Sequence, residues 1–179
     1  VTEQGSSLVF HYLLMDGQRA ARQRIRLSLS GDRRFMWNRA EGRPVPYGLW
    51  RLKEALGRGA TELVIVEGES DTLTLWAHGL EAVGVPGADL CSILQAPHVA
   101  GFQRILICRE NDHGGEIFEK GLTARLAALE YSGAVAVIEM AQASVKDAND
   151  LHLKFLNTEG AFLSEWEALK LQARAVDLP

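Results

Sequence analysis

Two short segments of the chain carry carboxylates at a spacing that suits metal-dependent chemistry. The first segment contains Glu67, Glu69 and Asp71, and the second contains Glu110 and Asp112. Like charges this close repel one another unless a cation lies between them. Carboxylates without His or Cys partners favour Mg²⁺ or Mn²⁺ over zinc. We therefore expect a divalent-metal site where the two segments meet, with the metal as the missing positive charge.

Each acidic segment follows an apolar, β-branched run, which is typical of a strand buried on both faces of a sheet. The pattern predicts four strands in this part of the chain, at residues 62–66, 82–86, 104–108 and 134–140. Loops at the carboxyl ends of neighbouring parallel strands share a crevice. Glu67, Glu110 and Asp112 are therefore expected to converge if the first and third of these strands are neighbours.

Helical patterns alternate with the strands. The predicted helices are residues 49–56, 70–80 and 115–132, followed by two short helices between 149 and about 175. Ser70 is the expected cap of the second helix. Gly114 and Gly115 are expected to leave backbone amides free near the start of the third helix, where an anionic phosphate would be favoured. Repeated strand–helix units of this kind form a parallel sheet covered by helices on both faces.

The first 60 residues differ in composition from the rest. They carry eleven Lys and Arg against five Asp and Glu, whereas the remainder carries eight against eighteen. Short alternating patterns predict strands at residues 8–14, 24–30 and 34–38. We therefore divide the chain into a basic, β-rich subdomain with a short helix, residues 1–60, and an acidic α/β domain, residues 61–179. This asymmetry suits a protein that holds a polyanion and metal ions, although solvated faces of different sign would give the same counts.

Four motifs occur in order between residue 62 and about residue 156: IVEGESD, AVGVPGA, ILICRENDHGG and VKDANDL. Together they resemble the TOPRIM domain shared by bacterial-type primases, topoisomerases and some nucleases. The resemblance is closest to the primases and primase-helicases of phages and mobile elements, and it extends less specifically into the N-terminal part. It implies an α/β fold with a TOPRIM-type parallel sheet flanked by helices, preceded by a small antiparallel β-rich subdomain.

The resemblance also implies roles for individual acids. Glu67 matches a glutamate that acts as a general acid or base and neighbours the metal, and Asp71 matches an aspartate of the same motif. Glu110 and Asp112 match a pair of metal-binding aspartates. The first of the pair is Glu here, which moves its carboxylate by about one methylene. These four residues are the expected metal ligands, with Glu67 as the catalytic residue.

The last motif adds Asp147 and Asn149 as a candidate additional acidic site. Asp147 matches the first acid of that motif, whereas Asn149 stands where a second acid often occurs. Both residues are also good helix caps, so the capping role and the metal-binding role stay open at this point. The candidates for binding nucleic acid or nucleotide by charge are Arg33, Arg34, Arg39 and Lys146.

The function implied by the resemblance is that of a DNA primase, a nucleotidyltransferase that makes RNA primers on single-stranded DNA from nucleoside triphosphates with Mg²⁺ or Mn²⁺. The alternatives are a TOPRIM-type metal-dependent nuclease and a non-catalytic nucleic-acid-binding module. A replicative helicase, on the same chain or another, is an expected partner. No apolar run approaches the roughly 20 residues of a membrane span, so we expect a cytoplasmic protein. We also expect the chain to be part of a larger protein.

Overall fold

The structure, a computed structural model, describes residues 1–4, 7–28 and 34–178. These residues form a four-stranded antiparallel sheet followed by a five-stranded, mainly parallel sheet with helices on both faces. The expected α/β architecture with an antiparallel N-terminal part is therefore confirmed. Within the same ranges, no helix combines the length and apolar character needed to cross a bilayer.

The N-terminal sheet consists of short strands. They are β1 (Thr2–Gln4), β2 (Ser7–Phe10), β3 (Arg24–Arg26) and β4 (Phe35–Trp37), paired in that order. The strands expected at 8–14 and 24–30 are too long. β2 ends early because the chain folds into a loop closed by a 2.8 Å hydrogen bond from the Leu14 amide to the Gln18 carbonyl. β3 ends with its partner β4, and residues 29 and 30 lie outside the described ranges.

The large sheet contains the four strands expected from the sequence and one more at its edge. They are β5 (Glu62–Glu67), β6 (Ala82–Val85), β7 (Arg104–Arg109), β8 (Ala134–Glu139) and β9 (Arg174–Ala175). Their order across the sheet is β6-β5-β7-β8-β9, with only β9 antiparallel to its neighbour. β5 and β7 are therefore adjacent and parallel, as the convergence of their carboxyl ends requires.

Helices cover both faces of this sheet in the described part of the chain. They are α1 (Leu49–Gly57), α2 (Glu69–Ala77), α3 (Ala96–Val99), α4 (His113–Ala128), α5 (Ala148–Lys154) and α6 (Ala161–Leu171), with 3-10 helices at Ala88–Ile93 and Met140–Ala143. Side chains alternate along a strand. Leu63 and Ile65 of β5 therefore pack with α1 and α4, whereas Val64 and Val66 pack with α2, α5 and α6.

Two helix starts differ from the sequence expectation. The cap of α2 is Gly68 rather than Ser70, because Gly68 adopts a φ of 83°, which turns the end of β5 directly into the helix. α4 begins earlier than expected, since the side chain of Asp112 caps it by accepting a 2.9 Å hydrogen bond from the Gly115 amide. The Gly115 amide is therefore already paired, and the expectation that it would be free was wrong.

An aromatic cluster joins the two sheets. Tyr47 exchanges backbone hydrogen bonds of 2.7 and 2.9 Å with Gly84 of β6. Its ring stacks on Trp76 of α2 at 5.4 Å between centroids and also contacts Phe10 and Tyr12 of the N-terminal segment. The N-terminal sheet is therefore packed beside β6 and α2, close to the end of β5, where the first acidic segment begins.

Candidate active site

A cleft of about 170 Å³ lies at the carboxyl ends of β5 and β7, facing the N-terminal sheet. Glu67 is the last residue of β5, and Glu110 directly follows β7. Because the two strands pair in register at Ile65 and Ile107, these two carboxylates emerge at the same edge of the sheet. The charged residues that line the cleft are Arg24, Arg34, Glu67, Glu69, Asp71, Glu110, Lys146 and Asp147.

Three carboxylates form a compact cluster in this cleft. Oxygens of Asp71, Glu110 and Asp147 lie within 4.8 Å of one another. Asp71 is buried, and its Oδ1 accepts a 2.9 Å hydrogen bond from the Asn149 amide. Asp147 caps α5, because its Oδ1 accepts a 2.8 Å hydrogen bond from the Asp150 amide. Asp147 therefore caps α5 and also lies in the carboxylate cluster, whereas Asn149 contributes a backbone amide.

Lys146 lies between Glu110 and Asp112. Its Nζ is 3.0 Å from Oε2 of Glu110 and 3.3 Å from Oδ2 of Asp112. The backbone holds the lysine there, since the Asn111 amide donates a 2.8 Å hydrogen bond to the Lys146 carbonyl. A lysine ammonium therefore supplies a positive charge between these two carboxylates.

Burial and mutual repulsion raise the pKa values of Glu67 and Asp71 above those of ordinary carboxyl groups. Burial, followed by the charges of Glu110 and Asp112, raises the pKa of Glu67 to about 7. Burial, followed by the charges of Asp147 and Glu110, raises the pKa of Asp71 well above its ordinary value. A carboxylate surrounded by others in a partly dry cleft is most easily kept ionised by a nearby cation.

Lys146 partly supplies that cation. Burial opposes its charge, but the hydrogen bonds and charges of Glu110 and Asp112 raise the pKa of the ammonium. Burial also opposes the charge of Asp112, but the Gly115 amide and Lys146 together lower the pKa of Asp112. For Glu110 the effect of burial is larger than the effect of the ion pair with Lys146, so its pKa is raised.

The cluster suits a hard divalent cation. Asp71, Glu110 and Asp147 offer only carboxylate oxygens, which are the donors that Mg²⁺ and Mn²⁺ prefer. A cation bound there would also relieve the repulsion that raises the pKa of Asp71. Asp112 stands apart from this set, because one of its oxygens accepts the Gly115 amide and the other faces Lys146.

Glu69 also lines the cleft, but its carboxylate is bonded to two residues of the N-terminal segment, Tyr12 and Arg24. It is 1% exposed, and its Oε1 accepts the phenolic hydrogen of Tyr12. Nη1 of Arg24 lies 3.1 Å from Oε2 of Glu69, and the guanidinium of Arg24 lies 4.3 Å from the centre of the Phe35 ring. Sequence reasoning counted Glu69 as a cleft acid and missed these partners, because they are 45 and 57 residues away and no local pattern connects them.

The basic candidates are distributed unevenly around the cleft. Arg34 lines it together with Arg24 and Phe35, across from the acids. Arg39 is exposed and is not part of the lining. Arg33 lies outside the described residues. The N-terminal sheet therefore contributes a positively charged wall to a cleft whose floor is acidic, an arrangement that suits a phosphate-bearing ligand.

Several solved structures of primases have a similar fold. The DnaG primase catalytic domain bound to single-stranded DNA has a TM-score of 0.70 and 17% identity over 95% of this chain. The E. coli primase catalytic core has a TM-score of 0.68 and 18% identity over 98% of it. The primase fragment of the bacteriophage T7 primase-helicase protein has a TM-score of 0.61 and 23% identity over 89% of it.

This chain spans 52%, 57% and 62% of the lengths of those three structures. No protein-family model matches its sequence, and no curated protein matches it significantly. At such low identities the likeness establishes the fold, and it agrees with the ordered motifs of the sequence. The chain therefore has the TOPRIM-type fold of bacterial and phage primase catalytic cores.

Proposed function

We propose that this chain is a primase-type nucleotidyltransferase that joins nucleoside triphosphates into RNA primers on a single-stranded DNA template with Mg²⁺ or Mn²⁺. The observation that carries the proposal is the cluster of Asp71, Glu110 and Asp147 across the cleft from Arg24 and Arg34. Acids for a metal and arginines for phosphate in one cleft are what a nucleotidyl transfer needs. The primase-core fold supports the same conclusion.

The acids of the cleft have three roles in this proposal. Asp71, Glu110 and Asp147 would hold the divalent ion, which when bound neutralises phosphate charge and lowers the pKa of the attacking hydroxyl. Glu67 lines the same cleft, where burial raises its pKa and makes its carboxylate a stronger base than that of an exposed glutamate. Asp112 supports the site by capping α4 and pairing with Lys146.

We assign Glu67 as the base that accepts the proton of the attacking hydroxyl. In the reaction the 3′-hydroxyl oxygen of one nucleotide bonds to the α-phosphorus of the next, and the bond from that phosphorus to pyrophosphate breaks. The hydroxyl proton must leave as the new bond forms, and the Glu67 carboxylate accepts it. A Gln at position 67 keeps the shape of the side chain but cannot accept this proton.

The basic wall would hold the anionic substrates. Arg34 is exposed and lines the cleft, so it can face triphosphate or template, whereas the charge of Arg24 is paired with Glu69. Phosphate contacts of this kind orient a nucleic acid without reading its sequence. We extend the same role to Arg33 and Arg39 on their charge. The T7 neighbour is a fragment of a primase-helicase protein, which supports a helicase as a partner of this chain.

The test is synthesis by the purified chain. It is incubated with a single-stranded DNA template, labelled nucleoside triphosphates and Mg²⁺ or Mn²⁺, and labelled RNA and pyrophosphate are measured. We expect metal- and template-dependent product from the wild type and a loss of at least about a hundredfold in Glu67→Gln. Glu159→Gln, an equivalent change at an exposed position after α5, is the matched control and should retain wild-type synthesis.

Two results would contradict the proposal. Cleavage of single-stranded DNA that needs the metal but no triphosphates, and that is lost in Glu67→Gln, would establish a nuclease in its place. If the wild-type chain binds Mn²⁺ and single-stranded DNA but makes no labelled RNA, the chain is a nucleic-acid-binding module without this activity.

A further inference from the structure

Lys146 is held in a defined place between the loops that follow β7 and β8. The Asn111 amide donates to its carbonyl at 2.8 Å, which ties the two loops together. The ammonium reaches Glu110 at 3.0 Å and Asp112 at 3.3 Å. Its side chain is 48% exposed, so the charged end can move toward solvent without disturbing the core.

The acids around Lys146 are not equivalent. Asp71, Glu110 and Asp147 bring oxygens within 4.8 Å of one another, which leaves a three-carboxylate set on one side of the lysine. On the other side, Asp112 has one oxygen on the Gly115 amide and the second toward the ammonium. A divalent ion that bridged Glu110 and Asp112 would therefore need the place that the lysine Nζ takes, and two cations so close repel strongly.

We propose that Lys146 is the resident cation between Glu110 and Asp112, so that the centre takes one divalent ion, at Asp71, Glu110 and Asp147, and takes a second only by displacing the ammonium. This inference rests on the proposed metal-dependent function and specifies how many ions that site holds. Lysine is suited to such a role because it is a compact point charge on a flexible stem. Its single positive charge offsets part of the negative charge of Glu110 and Asp112.

The test is the stoichiometry of Mn²⁺ binding, measured by electron paramagnetic resonance and isothermal titration calorimetry. We expect one tightly bound Mn²⁺ per wild-type chain and two in Lys146→Met, which keeps the length of the side chain and removes its charge. The second ion should bind at least about tenfold more tightly in this variant than in the wild type. Adding Asp112→Asn to Lys146→Met should return the count to one.

Lys120→Met is the matched control, since it makes the same substitution at an exposed position of α4 that does not line the cleft. It should bind one Mn²⁺, as the wild type does. Two tight ions in the wild type, one ion in Lys146→Met, or a second ion gained equally by Lys120→Met would each overturn the inference and leave the proposed function standing. A wild-type chain that binds no Mn²⁺ would overturn the proposed function itself. Circular dichroism establishes that each variant is folded before the ions are counted.

Discussion

Nη1 of Arg24 lies 3.1 Å from Oε2 of Glu69, although the two residues belong to different sheets and are 45 positions apart in the chain. Both groups are largely withdrawn from water, with side-chain exposures of 16% and 1%. The pair, with Tyr12 as a third member, fastens the basic N-terminal sheet to the start of α2. It therefore sets the distance between the positive wall of the cleft and its acids.

Glu69→Gln is expected to destabilise the fold by about 2–4 kcal/mol, because it leaves the Arg24 guanidinium without its buried counter-ion. The double variant Arg24→Met/Glu69→Gln should recover part of the loss, since it removes the stranded charge as well. Urea unfolding of the two variants and the wild type measures both effects. If Glu69→Gln keeps wild-type stability but loses Mn²⁺ binding, Glu69 is a metal ligand and this role is wrong.

Gly84→Ala should be costly for a different reason, the close approach of α2 to β6. An added Cβ would lie 2.4 Å from the Gly68 carbonyl oxygen and 2.4 Å from Oγ1 of Thr72. Such overpacking is expected to cost about 1–3 kcal/mol in thermal or urea unfolding. Gly57→Ala is the control: a Cβ there meets nothing within 4 Å, so stability should stay the same or rise slightly. Equal effects of the two changes would contradict the packing argument.

His98 gives the fold a pH dependence that is separate from the cleft. Burial, followed by the charge of Arg125, lowers the pKa of His98 from its ordinary value of 6.5 to about 4. The neutral ring accepts a 3.1 Å hydrogen bond from the Gln95 amide at Nδ1, which protonation would break. Because the folded pKa is the lower one, the unfolded chain binds the proton first, and stability is lost as the pH falls from about 6.5 to about 4, by up to about 3 kcal/mol.

The measurement for His98 is the free energy of unfolding in urea at several pH values between 4 and 7.5. His98→Asn is the informative variant, since its Oδ1 can accept the Gln95 amide but does not titrate in this range. Its stability should fall less steeply than that of the wild type as the pH is lowered. Identical pH profiles for the two proteins would show that His98 is not the group responsible.

Glu110→Asp tests whether the cleft is built around the longer side chain. Glu110 reaches both the Asp71–Asp147 pair and the lysine at position 146, so a shorter side chain is expected to withdraw from at least one of them. We expect Mn²⁺ affinity and primer synthesis to fall by about tenfold to a hundredfold. Glu116→Asp, at an exposed position of α4, serves as control and should change neither quantity. An increase of activity in Glu110→Asp would instead mean that the site prefers an aspartate.

Much of the large sheet was predictable from local pattern. The apolar runs that became β5 and β7 are short, continuous and β-branched, and strands of this kind are stable only when both faces are covered. Parallel neighbours then place the residues after them at one edge, which is why the meeting of Glu67 and Glu110 followed from the sequence. The N-terminal strands were less predictable, because their lengths depend on pairing with segments far along the chain.

The amino-acid sequence by itself determined the four parallel strands of the large sheet, their arrangement and the edge at which the acids collect, since all three follow from the periodicity of apolar residues and from turn chemistry. Only the tertiary structure decided how those acids are shared out: Asp147 joins Asp71 and Glu110, Lys146 separates Glu110 from Asp112, and Glu69 turns away to Arg24. These choices depend on distances between loops that are tens of residues apart in the chain. Ion pairing depends on distance in three dimensions, so a local sequence pattern cannot predict which of several nearby carboxylates a cation will pair with.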